Sequence, residues 1–255
     1  MSRLVALIAL LPTGWPVLRW YGLRLQDGSD EPLGLVAFAV ACMFTRNNDW
    51  REELSPPLVL LLVALLAGYV GLYPWMPALA RALVFVVMIA LVAAPKKIMA
   101  GWMTLLMLSL PLVSTLQFYL GYPLRLPTTQ LSALLLRCCG VAAHADGTTL
   151  LWAGERVIVD APCSGIQMAW TGLFVAATLS CWQGLSSRET FRLFRWAGGI
   201  VFCANVFRAA ALFLMGAGIW RLPPFAHEGI GLVLFAGAIW LIYFRAVRLQ
   251  SSWIT

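Results

Sequence analysis

PLVLLLVALLAGYVGLY, residues 57–73, runs from end to end without one charged side chain. An α-helix rises about 1.5 Å per residue, so crossing a bilayer core of about 30 Å takes roughly 17–25 apolar residues. The rest of the chain continues this pattern, with 61% hydrophobic and only 11% charged residues among 255 and a mean hydropathy of +0.83. Such a composition leaves too little polar surface to cover a soluble globule. The sequence therefore predicts a membrane protein.

Eight apolar segments are long enough, or nearly long enough, to be membrane-spanning helices. They are 4–21, 32–44, 57–73, 76–94, 98–121, 163–182, 195–219 and 229–246. The second segment is short, and the first carries Pro12, Gly14 and Pro16, which are expected to break it. We predict an all-α polytopic membrane protein with about eight transmembrane helices. It is expected to form one integral membrane domain over residues 1–255.

Lysine and arginine residues indicate how these helices are oriented. An even number of spans puts both termini on one side, and cytoplasmic loops carry the excess of positive charge. Alternate ends, predicted to be cytoplasmic, carry Arg3, Arg46, Arg51, Lys96, Lys97, Arg188, Arg192, Arg195, Arg245 and Arg248. The opposite ends carry Arg19, Arg24, Arg81, Arg125, Arg137, Arg156 and Arg221 over more loop residues. The bias favours both termini inside, and it explains most of the net charge of +7 without a nucleic-acid partner.

The longest stretch between predicted spans, residues 122–162, is expected to form an extracytoplasmic cap. Pro123 and Pro127 are expected to end the fifth span, and Thr128 or Thr129 to cap a new helix. Four apolar residues then recur at helical spacing: Leu131, Leu134, Leu135 and Ala142. This spacing predicts an amphipathic helix that lies on the outer membrane surface.

The sequence predicts a short β-hairpin at the end of the cap. GTTLLWAGERVIVD, residues 147–160, contains two β-prone runs joined by Ala153 and Gly154. The second run would deliver the chain to Cys163 at the start of the sixth span.

The segment VDAPCSGIQMAW, residues 159–170, places a polar cluster directly before a long apolar run. Asp160 is expected to cap the sixth span and Pro162 to occupy its first turn, with Cys163 among the unpaired amides of the helix start. Those amides and the helix dipole favour a thiolate. Two hydrogen-bonding side chains follow at a similar depth: Ser164 and Gln167. The alternative is that the cysteine is a small apolar filler at a helix end.

The six cysteines show no paired spacing typical of a disulfide framework. Cys138 and Cys139 together with His144 could be taken for a metal cluster, but two adjacent cysteines cannot easily face one ion. We therefore expect neither a metal nor an organic cofactor.

The segment CANVFRAAALFLMG, residues 203–216, contains an arginine inside a predicted span. An arginine near the bilayer centre costs about 2.5 to 3.5 kcal/mol to insert, so Arg208 is a candidate functional residue. Asn205 lies three residues earlier, on the same helical face. Arg208 lies eight residues before Gly216, about 12 Å along a regular helix, so it is expected to reach outward. The alternative is a structural arginine that snorkels to the interface or ties helices together.

The segment LPPFAHEGIGLVLF, residues 222–235, places His227 and Glu228 at the start of the last span. The predicted topology puts them on the same outer side as Cys163. Gly231, one turn along, leaves room against a neighbouring helix. His227 is a candidate general base, and Glu228 could orient it. A hydrogen-bonded structural histidine is the alternative.

These three motifs, D-A-P-C-S-G-I-Q, N-V-F-R-A-A-A-L and H-E-G-I-G, follow one another on three successive late spans. In this order the chain resembles the exosortases, within the wider exosortase/archaeosortase group. The preceding Y-P-L-R-L-P-T-T-Q-L is also similar to that family. The resemblance is specific over roughly residues 100–245 and extends to the earlier spans by hydropathy alone.

The resemblance implies a polytopic membrane cysteine transpeptidase with Cys163 as nucleophile, Arg208 as essential arginine and His227 as third catalytic residue. Such enzymes process exported proteins that end in a tripartite signal: a short motif such as Pro-Glu-Pro, an apolar helix and a basic tail. The tail would enter laterally from the bilayer. The resemblance also implies a bacterial plasma (inner) membrane, with the active site on the periplasmic side. Pro162 and Gln167 replace the residues commoner in the family, which leaves the subfamily and the cleavage motif open.

Two readings from other classes stay open. In a transporter or channel, Arg208 would bind an anion and Cys163 would only pack. This reading predicts further polar residues along facing spans, and the third to fifth spans carry no carboxylate, only Thr104, Ser109, Ser114, Thr115 and Gln117. The other reading is a membrane acyltransferase or a non-catalytic component of exopolysaccharide export.

Overall fold

A computed structural model describes residues 1–26, 33–46, 48–95, 98–160, 164–221, 223 and 225–251. Within these ranges the chain forms nine α-helices and one three-stranded sheet. The helices are α1 (Arg3–Gln26), α2 (Leu33–Thr45), α3 (Pro56–Leu72), α4 (Ala78–Ala93), α5 (Met99–Leu108), α6 (Val113–Cys138), α7 (Ile166–Trp182), α8 (Ser187–Gly216) and α9 (Ala226–Ser251). The strands are β1 (His144–Asp146), β2 (Thr149–Trp152) and β3 (Glu155–Ile158).

The chain divides into two compact units. The first comprises Met1–Leu112 with Ser180–Ser187, and the second comprises Val113–Leu179 with Arg188–Thr255. The three sequence motifs all belong to the second unit, which therefore carries the candidate site. Both units consist mainly of apolar helices, and the single integral membrane domain over residues 1–255 stays a prediction.

The all-helical membrane architecture is confirmed, whereas the number of spans is not. Among the described residues, α1, α8 and α9 are long and apolar enough to cross a bilayer, and α5 with α6 would make a fourth, interrupted span. The other apolar helices, α2, α3, α4 and α7, are shorter. Each predicted segment coincides with a helix or a helix pair, but the count of eight spans stays a prediction.

Helix α1 continues through Pro12 and Pro16, so the break expected there is wrong. Each proline removes one N–H from the helical ladder, but neighbouring helices support the weakened turns. The Tyr69 hydroxyl donates to the carbonyl of the residue after Pro12 at 3.1 Å. A Cβ on Gly14 would come within 2.6 Å of Cζ of Phe85. Close packing against α3 and α4 therefore holds α1 together across both prolines.

The predicted fifth span, 98–121, is interrupted in the structure. Helix α5 ends at Leu108 and α6 begins at Val113, with Pro111 between them. Proline cannot donate the helical hydrogen bond, and it disfavours the helical conformation in the residue before it. The break therefore falls at this proline, and not at the two prolines farther along.

Helix α6 runs without interruption through Pro123 and Pro127. The helix end expected at these prolines, and the new helix capped at Thr128 or Thr129, are therefore wrong. Both threonines are fully buried and donate their hydroxyls to the carbonyls four residues earlier, at 2.8 Å each. The carbonyls that lose a donor to the two prolines are those of Tyr119 and Pro123, so the threonine hydroxyls do not replace the lost bonds but satisfy their own buried oxygens. The predicted amphipathic helix is the second half of α6.

The packed face of this second half is small and polar. Leu131 and Leu134, expected on its apolar face, are exposed, whereas Ser132 and Leu136 are buried. The Ser132 hydroxyl donates to the carbonyl of Val206 at 3.0 Å. Helix α6 therefore packs on α8 mainly through small residues, whereas Leu131 and Leu134 are available to lipid.

The predicted hairpin is confirmed as β2 and β3, which pair antiparallel from Thr149 with Ile158 to Trp152 with Glu155. Its two turn residues, Ala153 and Gly154, have φ values of 48° and 89°. Positive φ at both central residues is the requirement of a type I′ turn, whose twist matches that of the flanking strands. Strand β1 adds an unpredicted third strand against β2.

The cap rests on α8. Leu150 and Val159 are buried in a cluster with Ala210 and Phe213 of α8. A Cβ on Gly216, the last residue of α8, would lie 3.3 Å from Cγ2 of Val157 in β3. The sheet therefore covers the end of α8.

Small residues also bring together the three helices that carry the motifs. A Cβ on Gly172 of α7 would lie 2.6 Å from Cγ2 of Val201 in α8 and 3.7 Å from Cδ1 of Ile242 in α9. Such contacts let helix backbones approach closely, as is usual in membrane proteins. The cysteine, arginine and histidine segments thus belong to one packed group of helices.

Candidate active site

The chain on both sides of Cys163 is held in place, although Cys163 itself lies outside the described residues. Before it, the Val159 N–H donates to the carbonyl of Thr148 at 2.8 Å. The Val159 carbonyl accepts from Nη1 of Arg125 at 3.5 Å. After it, the buried Ser164 donates its hydroxyl to Oε1 of Gln117 at 2.9 Å. The cap and α6 therefore anchor the cysteine segment at both ends.

Helix α7 begins at Ile166, so the expectation that Asp160 caps it is wrong. Ser164 takes a capping role, since its hydroxyl accepts from the N–H of Ile166 at 3.4 Å. Asp160 is exposed, because the hydrogen bonds of the preceding residue tie it to the edge of the cap. The prediction that Pro162 and Cys163 occupy the first turn falls on residues outside the described ranges.

Gly165 joins the cysteine segment to α8. Its φ of +80° is in the left-handed region that favours glycine. A Cβ at this position would lie 3.0 Å from both Cγ and Nδ2 of Asn205. Asn205 is 1% exposed, so the turn before α7 sits directly on a buried amide of α8.

Arg208 lies one turn along α8 from Asn205 and packs against α9. A Cβ on Gly231 would lie 3.2 Å from Nε of Arg208. The absence of a side chain at Gly231 thus provides the room that the sequence predicted, and Arg208 is its occupant. Gly231 is one helical turn from His227, so the guanidinium is held close to the start of α9.

The level at which the start of α7 meets α8 differs from the expectation that Arg208 must reach toward the end of α8. Helix α8 ends at Gly216, about 12 Å beyond Arg208 along the helix axis. Gly165, however, contacts Asn205, which is still farther from that end than Arg208. The start of α7 is therefore recessed to the level of the arginine. The described residue nearest in sequence to Cys163 that contacts α8 is therefore Gly165, at the level of Asn205.

His227 and Glu228 occupy the first turn of α9 and are both exposed. In the part of the chain that the structure describes, neither side chain forms a hydrogen bond or an ion pair, and the same is true of Asp160. Gln167, in the first turn of α7, is also exposed. These four polar side chains are accessible to a substrate, whereas Ser164 and Asn205 are buried behind them.

Sequence reasoning missed a polar stripe on α6. Gln117 and Arg125 lie on one helical face with Gly121 between them, at i, i+4 and i+8. A Cβ on Gly121 would lie 2.9 Å from Nε2 of Gln117, and Nε of Arg125 donates to the Gly121 carbonyl at 3.2 Å. The spacing is visible in the sequence, but it predicts a shared face only if the helix continues through Pro123.

Within the described ranges, no three His, Cys, Asp or Glu side chains are grouped closely enough to hold a metal ion. The chemistry available to the described residues is that of a guanidinium, an imidazole, hydroxyls and amides. With the cysteine beside Ser164, these groups suit nucleophilic catalysis on a carbonyl substrate.

Comparison with known proteins agrees with the motifs. A search of curated proteins and a search of solved structures each gave no significant match. A family model described as transmembrane exosortase matches residues 4–244 of the chain. This match extends over the first unit as well as the three motifs of the second. The chain therefore belongs to the transmembrane exosortase family.

Proposed function

We propose that this protein is a membrane-embedded cysteine transpeptidase that cleaves the C-terminal sorting signals of exported proteins through an acyl-enzyme thioester. The observation that carries the proposal is a pair of glycine contacts. Gly165 lets the cysteine segment pack on Asn205 of α8, and Gly231 lets α9 pack on Arg208. Two adjacent turns of α8 thus connect the cysteine and histidine segments.

In the first half of the proposed reaction, the Cys163 sulfur attacks the carbonyl carbon of the scissile peptide while His227 takes the thiol proton. Arg208 stabilises the oxyanion that forms on the carbonyl oxygen. The C–N bond then breaks, and His227 returns the proton to the leaving amine. The products are a thioester on Cys163 and the free C-terminal fragment.

In the second half, an amine or water attacks the thioester carbonyl, and His227 accepts its proton. The C–S bond breaks, which releases the acyl group and restores the thiol after proton return. No metal or organic cofactor enters either step. Asn205 positions the turn at Gly165, and Ser164 holds that segment to Gln117.

The apolar helix of the substrate would bind in a groove formed by α8 and α9. An open groove of about 510 Å³ lies between α8 and α9. We name it the tail groove; its lining includes Phe207, Trp220, Phe225, Gly229 and Val233. Two of its lining residues, Phe207 and Ala226, directly precede Arg208 and His227 in the sequence, respectively. A tail that enters laterally from the bilayer would thus bring its scissile peptide to the catalytic groups, on the periplasmic side under the predicted topology. Exposed Asp160, Gln167 and Glu228 are then candidate contacts to the motif of the substrate.

The test is co-expression with exported proteins that carry the tripartite tail, followed by measurement of tail removal. Cys163→Ala and Cys163→Ser are expected to abolish cleavage, because they remove the thiol that attacks the scissile carbonyl in the proposed reaction. Cys203→Ala is the matched control, since Cys203 is an exposed cysteine of α8, and it is expected to cleave like the unaltered protein.

Trapping the intermediate gives a second measurement. With the unaltered protein, hydroxylamine should release a hydroxamate of the exported protein, since thioesters react readily with this amine. Unchanged processing in both Cys163 variants, with all variants inserted equally, would refute the peptidase proposal and leave the transport and export readings.

A further inference from the structure

Helix α8 is longer than a membrane span requires. Its 30 residues extend about 45 Å, whereas a bilayer core is about 30 Å thick. The part from Ala197 to Gly216 is apolar apart from Asn205 and Arg208 and matches the core in length. Residues 187–196, at the end away from the candidate active site, therefore project into the headgroup region.

Three arginines occupy one face of this projecting part. Arg188, Arg192 and Arg195 lie at i, i+4 and i+7 and are all exposed. Together with Phe191 and Phe194 they line an open cavity of about 590 Å³. We name these five residues the α8 basic pocket.

The pocket carries positive charge that the described part of the protein does not neutralise. Across the described ranges, none of its three arginines forms an ion pair. Glu189, the one acidic residue in residues 187–196, is buried away from the exposed face. Like charges at i and i+4 repel one another, so an anion that bridges the guanidinium groups would relieve this repulsion.

The end of α9 adds to the same surface. Arg245 lies with its guanidinium carbon 3.9 Å from the ring centroid of Trp196, at the boundary of the projecting part. Trp196 is 48% exposed, and tryptophan is enriched at the interface between membrane and water. Aromatic and cationic groups thus occur together at one membrane level on two helices.

We propose that the α8 basic pocket binds the headgroup of an anionic phospholipid. The phosphate would lie between the arginine side chains, and the exposed Phe191 ring, with the half-buried Phe194, would contact the upper acyl chains. A free phosphate would use the charges but not the rings, which is why the geometry favours a lipid. This binding site is independent of the peptidase proposal, because it lies at the opposite end of α8.

The experiment uses the full chain in nanodiscs of phosphatidylcholine that contain a small fraction of phosphatidylglycerol. Retention of phosphatidylglycerol is measured by native mass spectrometry after release from the disc. The triple variant Arg188→Gln, Arg192→Gln, Arg195→Gln is expected to lower its affinity about 100-fold, from roughly fivefold per arginine at a membrane surface. The single variant Arg192→Gln is expected to lower it about fivefold.

The matched control removes three exposed arginines elsewhere in the same unit: Arg137→Gln, Arg156→Gln and Arg221→Gln. Retention should be unchanged in this variant. An equal loss in the control, equal retention of phosphatidylcholine, or full displacement of the lipid by millimolar inorganic phosphate would each overturn the proposal. Arg192→Gln keeps the test valid if the triple variant does not insert.

Discussion

Arginine side chains at the two ends of α8 lie in different environments. Near its end at Gly216, one arginine, Arg208, lies half-buried against a glycine of α9. At its start, three arginines are exposed along one face. An arginine inside the hydrocarbon costs about 2.5 to 3.5 kcal/mol to insert, whereas an arginine at headgroup level is well solvated. Burial therefore separates a candidate catalytic arginine from surface arginines, although the residue type is identical.

The contacts around the two ends differ in the same way. Next to Arg208, Gly231 of α9 leaves only 3.2 Å between its Cβ position and Nε of the arginine. Arg192 is exposed and lines an open cavity together with Phe191 and Phe194. Substitutions near Arg208 are therefore expected to affect chemistry, and substitutions near Arg192 to affect attachment to lipid.

The largest effect is expected from Arg208→Ala. Loss of a group that stabilises an oxyanion lowers the turnover rate by about 10²–10³. Arg208→Lys should recover only part of this loss, since lysine lacks the planar fork of donors. Tail removal measured over time gives the rate, with Arg192→Ala as control. If both arginines gave equal losses, the distinction between the two ends would be wrong.

Next in size is the effect of Gly165→Ala on stability. At a φ of +80° the new methyl group would also meet Asn205 at 3.0 Å, so strain and overpacking add to about 2–4 kcal/mol. Gly140→Ala is the matched control, because Gly140 has a φ of +86° and nothing within 4 Å of its Cβ position. It should cost only about 1–2 kcal/mol. Thermal unfolding in detergent gives the comparison, and equal midpoints would show that the contact with Asn205 contributes nothing.

A smaller effect is expected from Gly231→Ala, which pushes on the Arg208 guanidinium from α9. The added Cβ would lie 3.2 Å from Nε, so the guanidinium must shift by a few tenths of an ångström. We expect a loss of about tenfold in cleavage rate, since misplacement of a catalytic group is costly, with little change in stability. Gly237→Ala, on the same helix with open space around its Cβ position, should cleave normally. Normal cleavage by Gly231→Ala would argue against a role for this contact.

The smallest effect is expected from Trp196→Leu at the other end of α8. It removes the ring beneath Arg245, a cation–π contact worth about 0.5–1 kcal/mol at an exposed site. The unfolding midpoint in detergent should fall slightly, and the cleavage rate should not change. A strong loss of cleavage would mean that the start of α8 takes part in the reaction.

The three motifs could be recognised in the sequence because each contains a residue whose chemistry differs from that of its neighbours. An arginine within an apolar run, a cysteine between a proline and a glycine, and a histidine at the start of a span each differ from their surroundings. The hairpin was visible for the same reason, because Ala153-Gly154 lies between two β-prone runs. None of these signals depends on knowing which segments touch.

The wrong helix boundaries mostly involve proline. Pro12, Pro16, Pro123 and Pro127 were expected to end or break helices, yet α1 and α6 continue through them. A helix does stop at Pro111, and α3 and α4 end two residues before Pro74 and Pro95. A proline removes one hydrogen bond, but packing against neighbouring helices can hold the chain helical. Whether a helix continues through a proline therefore depends on the residues packed around it, and the local sequence does not identify these residues.

By itself, the sequence determined that this protein lies in a membrane, which family it resembles, and which three side chains are candidates for its chemistry, because composition and local motifs carry that information. Only the tertiary structure decided that Gly165, just before α7, packs on Asn205 of α8, and that Gln117 and Arg125 share one continuous face with Gly121. The physical reason is that Gly165 and Gly231 act by leaving space for Asn205 and Arg208 on another helix. Which residues of different helices come into contact is set by packing, and a single segment of sequence does not specify it.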